Sequence, residues 1–163
     1  MNGKRQHRQK RNLGGATRRT LPSTSASLLV DKGWIVGRTL DFGSGFGDDA
    51  RHFQWETYDP HYGPYLLREN AYDTVVCVNV LDVISAPHRR DAIDNLQFVL
   101  KDTGAAYVVV SRAVPVHGRT CAMKRRQYRV VLAGAESVHT DKKREVYKVR
   151  KGDTIRDQTK GRF

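Results

Sequence analysis

The chain has 163 residues, 29 Lys+Arg against 17 Asp+Glu, a formal charge of +12 and 39% hydrophobic residues. That length supports one compact domain with a real core and leaves no room for a catalytic domain beside a separate substrate domain. The composition excludes wholesale disorder, no run approaches the ~18 apolar residues of a membrane span, and two cysteines make neither a disulfide framework nor a zinc set.

The charge is unevenly placed. Residues 1–19 carry +7 with no acid, residues 20–118 carry −4, and residues 119–163 carry +9. Residues 1–16 lack apolar periodicity and read as a basic flexible arm. No apolar stretch follows that basic start, so no secretory signal is expected and a reducing, cytoplasmic setting is. Pro22-Ser23 opens a first helix, with Ser23 as N-cap, Ala26, Leu29 and Val30 as its apolar stripe and Gly33 as its stop.

Arg38–Phe42 reads as a short strand running into Gly43-Ser44-Gly45-Phe46-Gly47, after which Asp48–Phe53 starts a short helix with two acids in its first turn. Gln54–Tyr58 is a second strand ending at Asp59-Pro60, and residues 60–71 are loop-like, turning at Gly63-Pro64. Asp73–Asn79 is an almost wholly apolar run, hence a strand buried on both faces. Pro87–Leu100 is a helix expected to stop at Gly104, and Ala105–Ser111 is another buried strand. Alternating strands and helices predict a parallel sheet with helices on both faces. Beyond Arg112, Tyr128–Leu132 and Glu145–Val149 are two half-exposed strands expected to pair antiparallel at the sheet edge. Residues 151–163 are expected to be a charged, frayed tail, leaving 17–150 as the folded domain.

The strand–GxGxG–helix turn carries the chemistry. Glycines allow a sharp bend and let a ligand lie against the backbone. Asp41 precedes the first glycine by two residues, and Asp48 and Asp49 follow the last. Three carboxylates would serve a pyrophosphate badly and a cationic ligand bearing an α-amino group well. Asp59, at the end of the next strand, is placed to accept hydrogen bonds from both ribose hydroxyls. An amino-acid-bearing nucleoside with a positive centre describes S-adenosyl-L-methionine (SAM).

On these residues the sequence resembles the class I SAM-dependent methyltransferases: Leu40–Asp49 looks like their first motif, Tyr58-Asp59-Pro60 their acidic second strand end, Asp73–Ile84 their fourth-strand region and Lys101–Ser111 their fifth strand. It is similar in particular to the small methyltransferase-like domains of phage genomes and of DNA phosphorothioation loci. There a Thr-to-Arg stretch, Pro-Ser, a helix and an LD-aromatic-glycine motif follow in this order, as do Thr17, Arg18, Arg19, Pro22-Ser23 and Leu40–Asp49 here. The resemblance implies an α/β, Rossmann-like, mostly parallel seven-stranded sheet with an antiparallel last strand, SAM as cofactor, and a phage-encoded enzyme of the host cytoplasm. By carry-over, Asp41, Gly43, Ser44 and Gly45 hold the methionine end, Asp59 the ribose, and Asn79 faces the reactive methyl as the one candidate catalytic residue. Ser44 stands where close relatives usually have Cys, and Asp82 where they tend to have Asn. No Asp-hydrophobic pair for adenine lies between Asp59 and Tyr72, and no motif names a base-methylation chemistry.

Cys77, in mid-strand, reads as core; Cys121 sits in a basic loop without an informative neighbour. His61 and Tyr62 lie just past Asp59, lining either the cofactor pocket or the surface. The six histidines form no ligand pair, so no metal is expected. Arg18, Arg19, Lys124, Arg125 and Arg126, with Tyr128 and Tyr147 interleaved among cations, favour a nucleic-acid partner, DNA before RNA. The expected activity is methyl transfer to nucleic acid, with a partner subunit supplying target recognition or with low sequence specificity. The alternatives are a catalytically silent SAM- and nucleic-acid-binding module and, less favoured by length and by the acids, an NAD-dependent oxidoreductase.

Overall fold

The computed structural model describes residues 16–64, 66–121 and 125–160. Most of the basic arm (1–15), Lys124 of the charge run and residues 161–163 lie outside them. The first helix, α1 (Thr24–Asp31), begins where Ser23 caps it, its hydroxyl accepting from Ala26 N at 3.1 Å. It ends at Gly33, whose positive φ lets the chain turn out of the helix. Then follow β1 (Thr39–Phe42), α2 (Asp48–Phe53), β2 (Glu56–Tyr58), β3 (Tyr72–Val78), a 3₁₀ turn (Leu81–Val83), α3 (Ala86–Val99) and β4 (Leu100–Ser111). The rest is short strands: β5 (Arg119–Thr120), β6 (Arg126–Gln127), β7 (Leu132–Ala133), β8 (Glu136–Thr140), β9 (Arg144–Arg150) and β10 (Arg156–Asp157).

The main sheet has six strands in the order β2-β1-β3-β4-β9-β8. The first four are parallel; β9 runs antiparallel to both β4 and β8. Alternate residues of the central strands feed two separate cores. Val75, Cys77, Val108 and Val110 face α3, which contributes Ile93, Leu96 and Val99, while Val76, Tyr107 and Val109 face Leu29 of α1. Helices therefore cover both faces, and an apolar strand with no polar side is what such a sandwich needs.

Four expectations are corrected. Six strands replace seven because residues 59–71, crossing from β2 to β3 over β1, hold no strand or helix among those described and are too few for an additional βα unit. Gly104 does not stop α3, which passes directly into β4 at Leu100. It lies inside β4, where a Cβ would sit 2.9 Å from Tyr72 O and 3.0 Å from Asp73 O, so only glycine allows that approach. The edge hairpin is β8–β9 rather than a pairing with 128–132. Its turn is fixed by Asp141, whose Oδ1 accepts from Lys143 N and Arg144 N at 2.7 and 2.9 Å. Residues 151–160 are docked, not frayed: β10 pairs with β7. Asp157 Oδ2 meets Arg89 Nε at 2.7 Å, with both side chains buried.

Arg89, on α3, ties three segments together. It also donates to Ile84 O at 2.6 Å and lies over the Tyr128 ring at 4.6 Å. Replacing Arg89 with Leu strands the Asp157 carboxylate in a dry site. Urea unfolding at pH 7 should show a loss of about 3–5 kcal/mol. Changing Asp157 to Leu in the same chain should restore most of it.

Candidate functional site

β1 is flanked by β2 on one side and β3 on the other, so the chain leaves its carboxyl end at a point where the sheet order reverses. A crevice outside that end is where open α/β sheets take ligands. The turn after β1 is pinned by backbone bonds, Gly43 N and Ser44 N both donating to Tyr58 O at 2.7 and 3.1 Å. Gly43 (φ 77°) packs so closely on β3's exit that a Cβ would strike the Val80 side chain. Gly45 (φ 56°) is covered instead by Ala16, whose Cβ would lie 2.6 Å from an added one.

Asp59 joins the turns after β1 and β2. Its Oδ2 accepts from Gly45 N at 2.8 Å, and its Oδ1 from His61 N and Tyr62 N at 2.7 and 3.1 Å. A carboxylate holding backbone N–H groups in this way makes charge-assisted bonds, and of its about four lone-pair sites one, on Oδ2, is left. Asp41 is buried beside it at the end of β1. Burial, then the charges of Asp49 and Asp59, push its carboxyl up to about 7, while the Arg19 guanidinium pulls the other way.

Asp48 and Asp49 act locally. Asp49 accepts from Ser23 N and Ser23 Oγ at 2.6 and 2.7 Å and pairs with Arg19 at 3.1 Å. Asp48 accepts from Arg19 N at 2.7 Å and pairs with Arg51 at 2.9 Å. The backbone N–H of Arg19 and the guanidinium of Arg51 hold its carboxyl below the usual range. The two acids thus clamp residues 19–23 as a strap that carries Ala16 over the glycine turn. These contacts span 26 to 29 residues of sequence, and no local pattern announces them.

Asn79 is exposed at the end of β3 in a left-handed conformation (φ 55°), its N–H donating to Val109 O at 2.9 Å. Asp41, Gly43, Ser44, Gly45 and Asp59 therefore share one turn pair, and Asn79 stands across from it beside Val80. Asp82, which sequence reasoning noted only as a departure, is buried with Oδ1 lacking a partner among the described residues. Burial raises its carboxyl to about 6, against the backbone N–H groups of Asp82 and Ser111. Tyr62 turns its ring onto Phe46 at 4.7 Å, and Arg18 covers the same Phe46 ring at 4.7 Å. Arg19 is committed to the strap. Arg125 and Arg126 flank the β5–β6 hairpin, whose exit residue Tyr128 donates its N–H to Asp82 O at 2.7 Å. Lys124 lies outside the described residues. Among the described residues no group of three His, Cys, Asp or Glu could hold a metal, and no helix is long and apolar enough to cross a membrane.

The raised Asp41 carboxyl has a consequence for stability. Between about pH 4 and 7 the native chain holds a proton that the unfolded chain has released, so stability falls as pH rises through that window. Asp41→Asn should be the more stable chain at pH 8, by up to about 4 kcal/mol, with the advantage shrinking toward pH 4. Urea unfolding across that range checks it, and a pH-independent difference would contradict the assignment.

No family model matches the sequence, and no curated protein matches it. Solved structures do. A Burkholderia thailandensis 1,6-didemethyltoxoflavin N1-methyltransferase, crystallised with S-adenosylhomocysteine, matches over 79% of this chain and 77% of its own, at 16% identity and a TM-score of 0.55. A SAM-dependent methyltransferase of Thermotoga maritima matches over 53% and 50%, at 19% identity and a TM-score of 0.45. The magnesium protoporphyrin IX methyltransferase of Synechocystis, with bound SAM, matches over 76% and 74%, at 15% identity and a TM-score of 0.43. The chain thus spans about three quarters of the first and half of the second. On the first of these likenesses, it has the α/β, Rossmann-like methyltransferase fold, with a mixed main sheet of six strands.

Proposed function

We propose that this chain binds SAM at the carboxyl ends of β1, β2 and β3 and transfers its methyl group to nucleic acid. The observation that carries the reading is the buried Asp41 carboxyl, held near neutrality among acids beside a glycine turn. A cationic ligand entering there replaces carboxylate repulsion with attraction. The residues present fit such a ligand. Ser44 Oγ is buried at the turn with no partner among the described residues, so it is a polar atom left for a guest. Gly43 and Gly45 offer backbone without side chains. Asp41, Gly43, Ser44 and Gly45 would hold the amino-acid end, Asp59 a ribose hydroxyl through the lone pair left on Oδ2, and Asn79 the region of the reactive methyl.

When bound, SAM supplies a methyl already activated on a sulfonium, so a dedicated general base is not obligatory. The chain's own part is orientation: Asp59 and the strap fix the turn, and Asn79 stands at the rim. A nucleic-acid acceptor rests on where the cations lie. Arg18 is on the glycine turn, and Arg125 and Arg126 are on the hairpin whose exit meets Asp82. Lys142 and Lys143 sit in the β8–β9 turn, where Arg112 N donates to Lys143 O at 2.8 Å. All of these segments are at the carboxyl end of the sheet, so a basic rim surrounds an acidic mouth. A polyanion on the rim brings its bases over the mouth, and duplex DNA would have to flip one out.

Calorimetric titration with SAM should show binding that Asp41→Asn and Asp59→Asn each weaken at least tenfold. Because the ionised Asp41 is the binding form, affinity should rise with pH up to about 7 and level off above it. Unchanged affinity in both variants would remove the site assignment. Labelled methyl should then reach DNA or, failing that, RNA. SAM binding without transfer to any acceptor would instead favour a silent binding module, and no DNA binding even at low salt would remove the nucleic-acid acceptor.

A further inference from the structure

An open cavity of about 430 Å³ is lined by the glycine turn, by Ala50 and Arg51 of α2, by Trp55 and Thr57 at β2 and by the loop after β2. Neither Asp41 nor Asp59 lines it, nor does Asn79; the turn Ser44-Gly45 is the wall it shares with the cofactor mouth. Its lining has a chemistry opposite to that of the mouth. Arg18 and Arg51 supply two guanidinium groups, Phe46, Trp55 and Tyr62 supply aromatic rings, Thr57 supplies a hydroxyl, and no carboxylate takes part.

The rings and cations are held in place. Phe46 sits between the Arg18 guanidinium and the Tyr62 ring, each 4.7 Å away. Trp55 is stacked on Phe53 at 4.7 Å with 22° between planes. Arg51 is fixed by Asp48 Oδ1 at 2.9 Å and by Phe46 O at 3.2 Å, yet 64% of its side chain is exposed. The loop after β2 contributes Tyr62 and Gly63 to the cavity's lining. A flat ring with an attached anion matches this lining: aromatic faces for the ring and guanidinium forks for the oxygens.

We propose that this cavity is a nucleotide-binding subsite, taking the base against Tyr62 and Trp55 and the phosphate on Arg18 and Arg51. The ligand class is a nucleoside 5′-phosphate, free or as one unit of a strand. The site deepens the nucleic-acid reading, since a strand held here passes over the shared wall toward Asn79. It does not depend on SAM.

The test is titration of the full chain with thymidine 5′-phosphate, which lacks the adenine of SAM and so does not mimic it. Binding is read by calorimetry and by quenching of tryptophan fluorescence. Trp34, the other tryptophan, is stacked on Tyr107 at 5.3 Å and, like Trp55, is half-buried, so quenching is read in a Trp34→Phe chain, where Trp55 is the one tryptophan left. The phosphate ester should bind at least tenfold more tightly than thymidine. Arg18→Gln and Tyr62→Leu should each weaken it about tenfold, and saturating SAM should leave its isotherm unchanged. Circular dichroism identifies a variant that has failed to fold, and the other then decides. A four-residue oligothymidylate that binds more than tenfold tighter than the mononucleotide assigns the site to a strand; equal affinity assigns it to a free nucleotide. Absence of binding at millimolar concentration, equal affinity for thymidine, indifference to both substitutions, or competition by SAM would each overturn the proposal. SAM titrated alone into the same sample reports the cofactor reading separately.

Discussion

The Asp59 carboxylate is the fastener of this structure's functional end. Parallel strands diverge where they leave a sheet, and their exit turns carry N–H groups that no ladder satisfies. Asp59 takes one such group from the turn after β1 and two from the turn after β2. With Gly43 N and Ser44 N on Tyr58 O, the two exits become one unit. Remove the carboxylate and three backbone donors, of Gly45, His61 and Tyr62, lose their acceptor, and the glycine turn loses the geometry that makes it a cradle. The position of Asp41, the approach of Gly43 to Val80 and the cover that Ala16 gives Gly45 all presuppose that the turn stays where Asp59 holds it.

That arrangement concentrates negative charge. Asp49 and Asp59 act on Asp41 through a poorly hydrated interior, and the Arg19 guanidinium opposes them. Arg19 reaches Asp41 because Asp48 binds its backbone and Asp49 its guanidinium, so the strap doubles as a counterion delivered by the chain itself. The partition of charge seen along the sequence therefore has a spatial counterpart. The acids sit in the mouth, one arginine answers them from within, and the other cations ring the outside or line the β2 cavity. The +12 of the whole chain conceals an acidic centre.

The reading from sequence succeeded where a local signal sufficed. An apolar run with no polar side placed β3 and β4, Ser23 and Gly33 bounded α1, and the glycine spacing predicted a turn between β1 and α2. It failed where the deciding contact was distant. Gly104 looks like a helix stop, and nothing beside it in sequence says that Tyr72 O and Asp73 O press upon it. Residues 151–160 look like a solvated tail because the partner that orders Asp157 is Arg89, on α3. Asp48 and Asp49 read equally well as helix-end charges or as ligand groups, and their role in holding the strap depends on Arg19 and Ser23. The seventh strand came from the resemblance alone; residues 60–71 read as loop-like, and the main sheet has six strands.

Ending the sheet at β2 also exposes a raw edge, the kind of border along which proteins polymerise by adding strand to strand. This border is three residues long, too short to template an extended ladder. At its entry Glu56 is held by the Arg38 guanidinium, so an incoming backbone would meet a charged pair rather than a smooth apolar rim. On the Trp55 and Thr57 side it opens into the cavity with its two arginines. A chain of this size could omit a strand because what remains of its margin is poorly suited to copies of itself. The same margin borders a basic and aromatic hollow that shares the Ser44-Gly45 turn with the acidic mouth.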